Sequence, residues 1–219
     1  MYGSRHLLRP LSPGSAIKKK TFRPAELRRP DIQQARARWA QAVAQVTHRR
    51  FIFIDESGAK INMTRLYGRG PRGVRVYDHI PNGRWETTTM IAGVGRNGAQ
   101  APWVLEGPID GVAFSVWVGQ VLVPTLKPTD IVVMDNLSVH RNAAAFAAIE
   151  ASGAEIWLLP PYSHDLNPIE KMWSKVKAYL RKAKARTAES LYEAIGRAME
   201  QVTQQDVRNW FASCGYSLI

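Results

Sequence analysis

Residues 130–159, DIVVMDNLSVHRNAAAFAAIEASGAEIWLL, decide the architecture. The apolar run IVVM is made of β-formers without alternation, the pattern of a strand buried on both faces. RNAAAFAAIEASG has helix-forming composition and stops at Gly153, a residue suited to the left-handed end of a helix. EIWLL then reads as a second buried strand. Strand, helix and strand in that order make a crossover between parallel strands, because such a connection needs a dozen or more residues and a hairpin does not.

Upstream, RFIFIDES (50–57), KINMTRLYG (60–68), TTTMIAGVG (87–95) and APWVLEG (101–107) read as strands joined by short links, and GVAFSVWVGQVLVPTL (111–126) as a helix. Gly93-Val94-Gly95-Arg96-Asn97-Gly98 matches a dinucleotide-binding fingerprint, but no helix follows it, and Asn97-Gly98 marks a tight hairpin instead. Downstream, NPIEKMWSKVKAYLRKAKA (167–185) is an amphipathic helix in which Ile169, Met172, Trp173, Val176 and Leu180 form one apolar face. Two more helices are expected at 188–202 and 205–212. Strands first, then strand, helix, strand and helix, give an α/β fold, a mixed sheet flanked by helices.

The chain carries a net charge of +12, of which +10 lies in residues 1–50. That segment is Pro-, Arg- and Lys-rich, includes Lys18-Lys19-Lys20, and ends in a helix expected at 31–46 with Asp31 as its cap. We therefore divide the chain into a basic arm and linker helix, 1–50, and a catalytic domain, 51–215. A basic excess attracts polyanions, although a charge run by itself can be a solvated tail. The single cysteine, Cys214, cannot form an internal disulfide, and no apolar run suits a signal peptide or membrane span. An intracellular protein with no membrane partner is expected.

Asp55 closes the strand FIFID and Asp135 closes IVVMD. Open α/β sheets bind ligands at the carboxyl ends of their strands, yet a lone acid there can equally be a turn or cap residue. If the two strands are neighbours, the two carboxylates repel unless a cation or a raised pKa relieves them. Glu170 is likewise double-valued, since Asn167-Pro168-Ile169-Glu170 also spells an N-cap, an N1 proline and a capping-box glutamate. Three carboxylates without a set of His or Cys ligands favour Mg²⁺ or Mn²⁺ over zinc. Two such ions, about 3.5–4 Å apart, suit in-line displacement at a phosphodiester.

Three segments carry a family resemblance: FIFIDESGAKI around Asp55, VVMDNLSVH around Asp135, and LLPPYSHDLNPIEKMWSKVK around Glu170, with 34 residues between the last two carboxylates. The chain, from about Lys18 to Phe211, resembles the catalytic domain of mariner-like DDE transposases, in particular their bacterial insertion-sequence branch. The resemblance implies a ribonuclease H-like five-stranded sheet whose first three strands form an antiparallel meander, with Asp55 and Asp135 on adjacent strands. It implies two ions bridged by Asp55, with Asp135 and Glu170 each completing one shell. Water would nick the transposon end, and the freed 3′-hydroxyl would attack target DNA.

Implied partners are double-stranded DNA, both terminal inverted repeats and target, and a second copy of the chain on paired ends. The family's members begin with helix-turn-helix modules, for which residues 1–50 are too short and Pro-rich, so the chain is expected to be the second frame of a two-frame element, a truncated copy or a product completed by frameshifting, with a separate helix-turn-helix polypeptide as a further partner; the alternative is a non-catalytic DNA-binding derivative. The bacterial cytoplasm, at the nucleoid when DNA is bound, is the expected location. His164 stands where the family has proline.

Other residues have two readings each. His140 is an auxiliary that approaches the scissile phosphate or a structural loop histidine, and Asn136 caps the next helix or contacts substrate. Glu56 points to the opposite sheet face from Asp55 and is structural. Arg36 and Arg38 face DNA or water. Lys171, Lys175, Lys177 and Arg181, on the polar face of the last long helix, and Arg72 in GRGPRGVR form a candidate DNA-backbone stripe.

Overall fold

The computed structural model describes residues 24–46, 49–82, 86–136 and 142–217. Lys18, Lys19, Lys20 and His140 lie outside the described residues. A central sheet has the order β3-β2-β1-β4-β5, where β1 is Phe51–Ala59, β2 Thr88–Gly95, β3 Gly98–Glu106, β4 Ile131–Met134 and β5 Glu155–Leu158. Strands β1, β2 and β3 pair antiparallel as a meander, and β4 pairs parallel with both β1 and β5. This is the expected mixed five-stranded sheet.

The sheet divides the core by residue parity. Phe51 and Phe53 of β1, Met90, Ala92 and Val94 of β2, and Ile131 and Val133 of β4 pack on one face. That face is covered by α1 (Pro30–Gln45), α4 (Pro168–Ala183), α5 (Ala188–Glu200) and α6 (Gln204–Ser213). Ile52, Ile54, Ile91, Val132 and Met134 pack on the other, under α2 (Gly111–Trp117) and α3 (Ala143–Ala151). The period-2 alternation of side chains along each strand produces this sorting.

Helix α4 starts at Pro168, where its sequence pattern sets the first turn. Ile169, Met172, Trp173, Val176 and Leu180 are all buried, each contributing about 1.5–3 kcal/mol. Their burial fixes the helix, and with it Glu170, against the sheet. α1 joins the same core through Trp39, whose ring meets Trp157 edge-on at 5.5 Å. The linker helix thus packs onto the catalytic unit across the division placed at residue 50.

Several expectations need correction. KINMTRLYG is not a strand, and the described residues between β1 and β2, 60–82 and 86–87, carry no strand or helix where a short link was expected. The sides of β1 are occupied by β2 and β4, so an additional strand there has no open edge to join. Ile61 and Met63 still pack on the core, whereas Leu66 and Tyr67 are exposed. Arg186 holds the link's two ends together, donating to the carbonyls of Ile61, Met63 and His79.

β5 is not buried on both faces, because it is the sheet's edge, and Glu155 and Leu158 face solvent. Asp31 does not cap α1. The helix starts one residue earlier, at Pro30, and Asp31 pairs with Arg29. The 111–126 helix is α only to Trp117, then widens into a π turn (Val118–Leu122) and tightens at Val123–Thr125. The expected hairpin forms, but its two-residue turn is Arg96-Asn97, and Gly98, at φ +119, opens β3 opposite Gly95.

Candidate active site

The register of the parallel pair builds the site. Phe51 faces Ile131, Ile52 faces Val132 and Phe53 faces Val133. Carried two residues further, the same offset sets Asp55 opposite Asp135 on strands about 4.8 Å apart. Both positions share the parity of Phe53 and Val133, which face the α4 side. Glu170 lies in the first turn of α4. Strand register, parity and helix start therefore bring all three carboxylates to one place, a cavity of about 430 Å³ also lined by Asn136, Pro160, Tyr162, His164 and Asn167.

The electrostatics report the same convergence. Burial, followed by the charges of Glu56, Glu170 and Asp135, pushes the Asp55 carboxyl up from 3.8 to about 8. The Glu56 backbone N–H donates to Asp55 Oδ1 at 2.8 Å, which offsets part of that rise. Without a cation, the centre holds a carboxyl that resists ionising at neutral pH. Among the described residues no three His, Cys, Asp or Glu side chains close round a single ion. The carboxylates instead rim the cavity, Glu170 lying half-exposed with Oε1 3.5 Å from His164 Nδ1. Three carboxylates fit hard divalent cations, and with His164 as the only nitrogen ligand and no cysteine among the described lining residues, the set is poor for zinc.

The capping-box reading of Asn167 and Glu170 is not realised. Asn167 is the N-cap residue of α4 but makes no side-chain cap hydrogen bond. Asn136 does not cap the helix after it either, since Asn142 does so by accepting from the Ala145 N–H. Asn136 lines the cavity.

The loop delivering Glu170 is held by residues that sequence reading did not connect to it. Arg36 on α1 donates to both carboxylate oxygens of Asp165 and to Ser163 Oγ, so its guanidinium is committed to this loop. Tyr216 donates its hydroxyl hydrogen to the Leu166 carbonyl at 2.7 Å and accepts from Trp39 Nε1 at 3.2 Å. Tyr162, on the cavity wall, adopts φ +58, a left-handed conformation costly for a bulky side chain and typical of binding sites.

The basic stripe is split in two. Lys175 is committed to Asp206 and the Gln201 carbonyl, at 2.5 and 2.7 Å, and Lys184 to Asp78. Lys171, Lys177, Arg181 and, between β1 and β2, Arg72 form no ion pair with other described residues.

The DDE superfamily endonuclease profile matches residues 50–192. The chain belongs to that family. This DDE superfamily endonuclease is similar in fold to a Mos1 transposase paired-end complex with its left transposon end, at 15% identity and a TM-score of 0.70, over 92% of this chain and 64% of that one. It is also similar to the Mos1 mariner paired-end complex with Mn, at 15% identity, a TM-score of 0.68, and 92% and 64% coverage. Against the catalytic domain of Mos1 mariner transposase alone, identity is 12% and the TM-score 0.63, over 88% of this chain and 92% of that domain. The endonuclease thus has the ribonuclease H-like fold and spans about two thirds of the paired-end transposase chains. No curated protein matches it in sequence. No helix among its described residues is long and apolar enough to cross a membrane.

Proposed function

We propose that this endonuclease domain is the catalytic core of a DNA transposase, from the bacterial insertion-sequence branch of the mariner superfamily. It hydrolyses phosphodiester bonds at transposon ends and transfers the freed 3′ end into target DNA. The observation that carries this reading is the convergence of Asp55, Asp135 and Glu170 on one cavity in a DDE superfamily member. The solved neighbours, whose titles name transposon ends, strand transfer and Mn or Mg, support it.

In this reading Asp55, Asp135 and Glu170 would hold two Mg²⁺ or Mn²⁺ ions. When bound, the ions supply charge neutralisation and a nucleophile at neutral pH. Asp55 would be ionised in the loaded site, where a cation would offset the burial and the neighbouring charges that hold its proton. Pro160, Pro161 and Tyr162 wall the cavity. Lys171, Lys177, Arg181 and Arg72 contact the DNA backbone, joined by Lys18, Lys19 and Lys20 of the basic arm. His140 and Asn136, the latter in the cavity wall, are auxiliaries to the three carboxylates.

The protein works as a homodimer on paired ends, with a separate helix-turn-helix polypeptide reading the terminal repeats, in the bacterial cytoplasm. The 60–82 segment supports the dimer, because Leu66, Tyr67, Val74 and Tyr77 expose more than half their surface on it and such apolar exposure marks association sites.

The test is Mn²⁺- or Mg²⁺-dependent cleavage of a labelled duplex carrying the element's terminal repeat, and nicking of a supercoiled plasmid bearing it, with Asp135→Ala alongside. Metal-dependent cleavage by the parent alone is expected. Equal activity of the Asp135→Ala protein would refute the assignment. Salt-sensitive DNA binding with no metal-dependent turnover, with or without a helix-turn-helix partner, would favour a non-catalytic derivative.

A further inference from the structure

Asn167 is 3% exposed, and its Oδ1 is fully buried with no hydrogen-bond partner. It lies in the wall of the cavity that holds Asp55, Asp135 and Glu170. An amide oxygen is seldom left in this state, because burying an acceptor without a donor forfeits its hydration. The usual outlet for an asparagine at a helix start is to cap it. Asn142 does this for α3, but Asn167 does not do it for α4. The other buried polar group of this wall, Ser163, is satisfied, accepting from Arg36 and donating to the Pro161 carbonyl.

The side chains around Asn167 explain what would satisfy it. No group of the rim donates to it, neither the proton-bearing Asp55 nor Tyr162 or His164, and once a cation displaces the Asp55 proton, Asp55, Asp135 and Glu170 are acceptors alone. Another acceptor among them calls for a positive centre or for water polarised by one. Amide oxygens are ordinary ligands of hard divalent cations, directly or through hydration water. Asn167 stands three residues before Glu170, rigidly joined to it by Pro168 and the first turn of α4.

We propose that Asn167 is a further oxygen donor of the site, its Oδ1 completing the shell of the hydrated divalent cation held by Glu170. This rests on the part of the functional reading that places divalent cations in the cavity. It assigns the asparagine of the Asn167-Pro168-Ile169-Glu170 segment a binding role rather than a capping one. The buried, unpartnered oxygen is then satisfied in the loaded protein and exposed as a deficit only in the metal-free one.

The experiment is calorimetric titration of the full chain with Mn²⁺, without DNA, for the parent, Asn167→Ala, Asn167→Asp and Asp135→Ala, with metal-free Tm measured for each. Asn167→Ala removes an oxygen that makes no bond in the protein, so its metal-free Tm should hold or rise. Its Kd for Mn²⁺ should rise about 10-fold or more, the usual cost of losing a supporting group at a metal site. Asn167→Asp keeps the oxygen and is as good an N-cap, so it should bind Mn²⁺ at least as tightly as the parent.

Parent-like binding by Asn167→Ala would overturn the proposal. So would equal weakening in both variants together with a fall in Tm, which would mark a structural role in the loop. Because binding is read without DNA, a parent that binds Mn²⁺ yet cleaves nothing counts against the transposase reading and leaves this assignment standing.

Discussion

Arg36 grips Asp165 with both ends of its guanidinium, at 2.8 and 2.7 Å, across 129 residues of sequence. The bidentate pair ties the linker helix α1 to the loop that leads into Glu170. Ser163, bonded to the same guanidinium at 2.8 Å, extends the grip, and Tyr216 holds Leu166 from the other side. The position of the third carboxylate therefore depends on a helix outside the strands that carry the other two.

Loss of Arg36 should be felt in turnover more than in stability. Its side chain is 24% exposed and that of Asp165 45%, so solvent screening limits the pair to about 1 kcal/mol or less. A shift of about 1 Å in a catalytic group, by contrast, can cost 100-fold in rate. Arg36→Ala should lower metal-dependent cleavage by about 10-fold or more with a Tm change of a few degrees at most. The charge-swapped pair, Arg36→Asp with Asp165→Arg, should recover part of the loss. Full cleavage by Arg36→Ala would show that the loop holds its place without α1.

The Asp55 carboxyl, raised to about 8 by burial and by neighbouring charge, sets a pH signature for the metal-free protein. Between about pH 4 and pH 8 the folded state keeps a proton that the unfolded chain has released. Stability from this group is thus fully present below about pH 4 and is lost as pH rises through about 8. Thermal melts of the metal-free protein should show Tm falling over that window, and Asp55→Asn should flatten the fall. Mn²⁺ should raise Tm, with proton release on binding detectable by calorimetry in buffers of different ionisation enthalpy. A flat Tm in the parent would mean that Asp55 is already ionised.

Much of this was legible in the sequence because it is local. An apolar run ending in Asp55 or Asp135 states both the strand and the end at which its acid sits, and the spacing of Ile169, Met172, Trp173 and Val176 states which face of α4 is buried. The exposed edge of β5 was not legible, since Ile156 and Trp157 look the same in an edge strand as in a central one. KINMTRLYG alternates like a strand but has no neighbour to pair with, a fact only the sheet order supplies. Arg36, Tyr216 and the uncapped Asn167 escaped for the same reason. Their roles are set by side chains that meet across the fold, and no periodicity encodes that.

Lys175 and Asp206 provide an acid-side counterpart. The Lys175 ammonium, then the Thr203 hydroxyl, holds the Asp206 carboxyl down at about 2, and Asp206 also closes the capping box of α6. A carboxyl with a lowered pKa stabilises the fold above its unfolded value near 3.8, and this contribution disappears as pH falls toward 2. Acid unfolding of Asp206→Asn should therefore be less steep between pH 4 and 2, from a lower starting Tm at pH 7. Lys175→Ala should lower Tm at pH 7 as well. Variants that match the parent across this range would mean that α6 is anchored by Val207 and Phe211 alone.

The same contact separates Lys175 from its neighbours in DNA binding. Lys177 and Arg181 are half-buried along their stems and form no ion pair with other described residues, so their charges remain free to displace counterions from phosphates. Each phosphate contact contributes about 0.9 to the slope of log affinity against log salt on duplex DNA. Lys177→Ala combined with Arg181→Ala should thus reduce that slope by about 2, by similar amounts on any duplex, because backbone contacts carry no sequence information. Lys175→Ala should leave the slope unchanged, since its charge is already neutralised by Asp206. Fluorescence anisotropy across a salt series reads both. A reduced slope for Lys175→Ala, with none for the double variant, would move the DNA track to the opposite flank of α4.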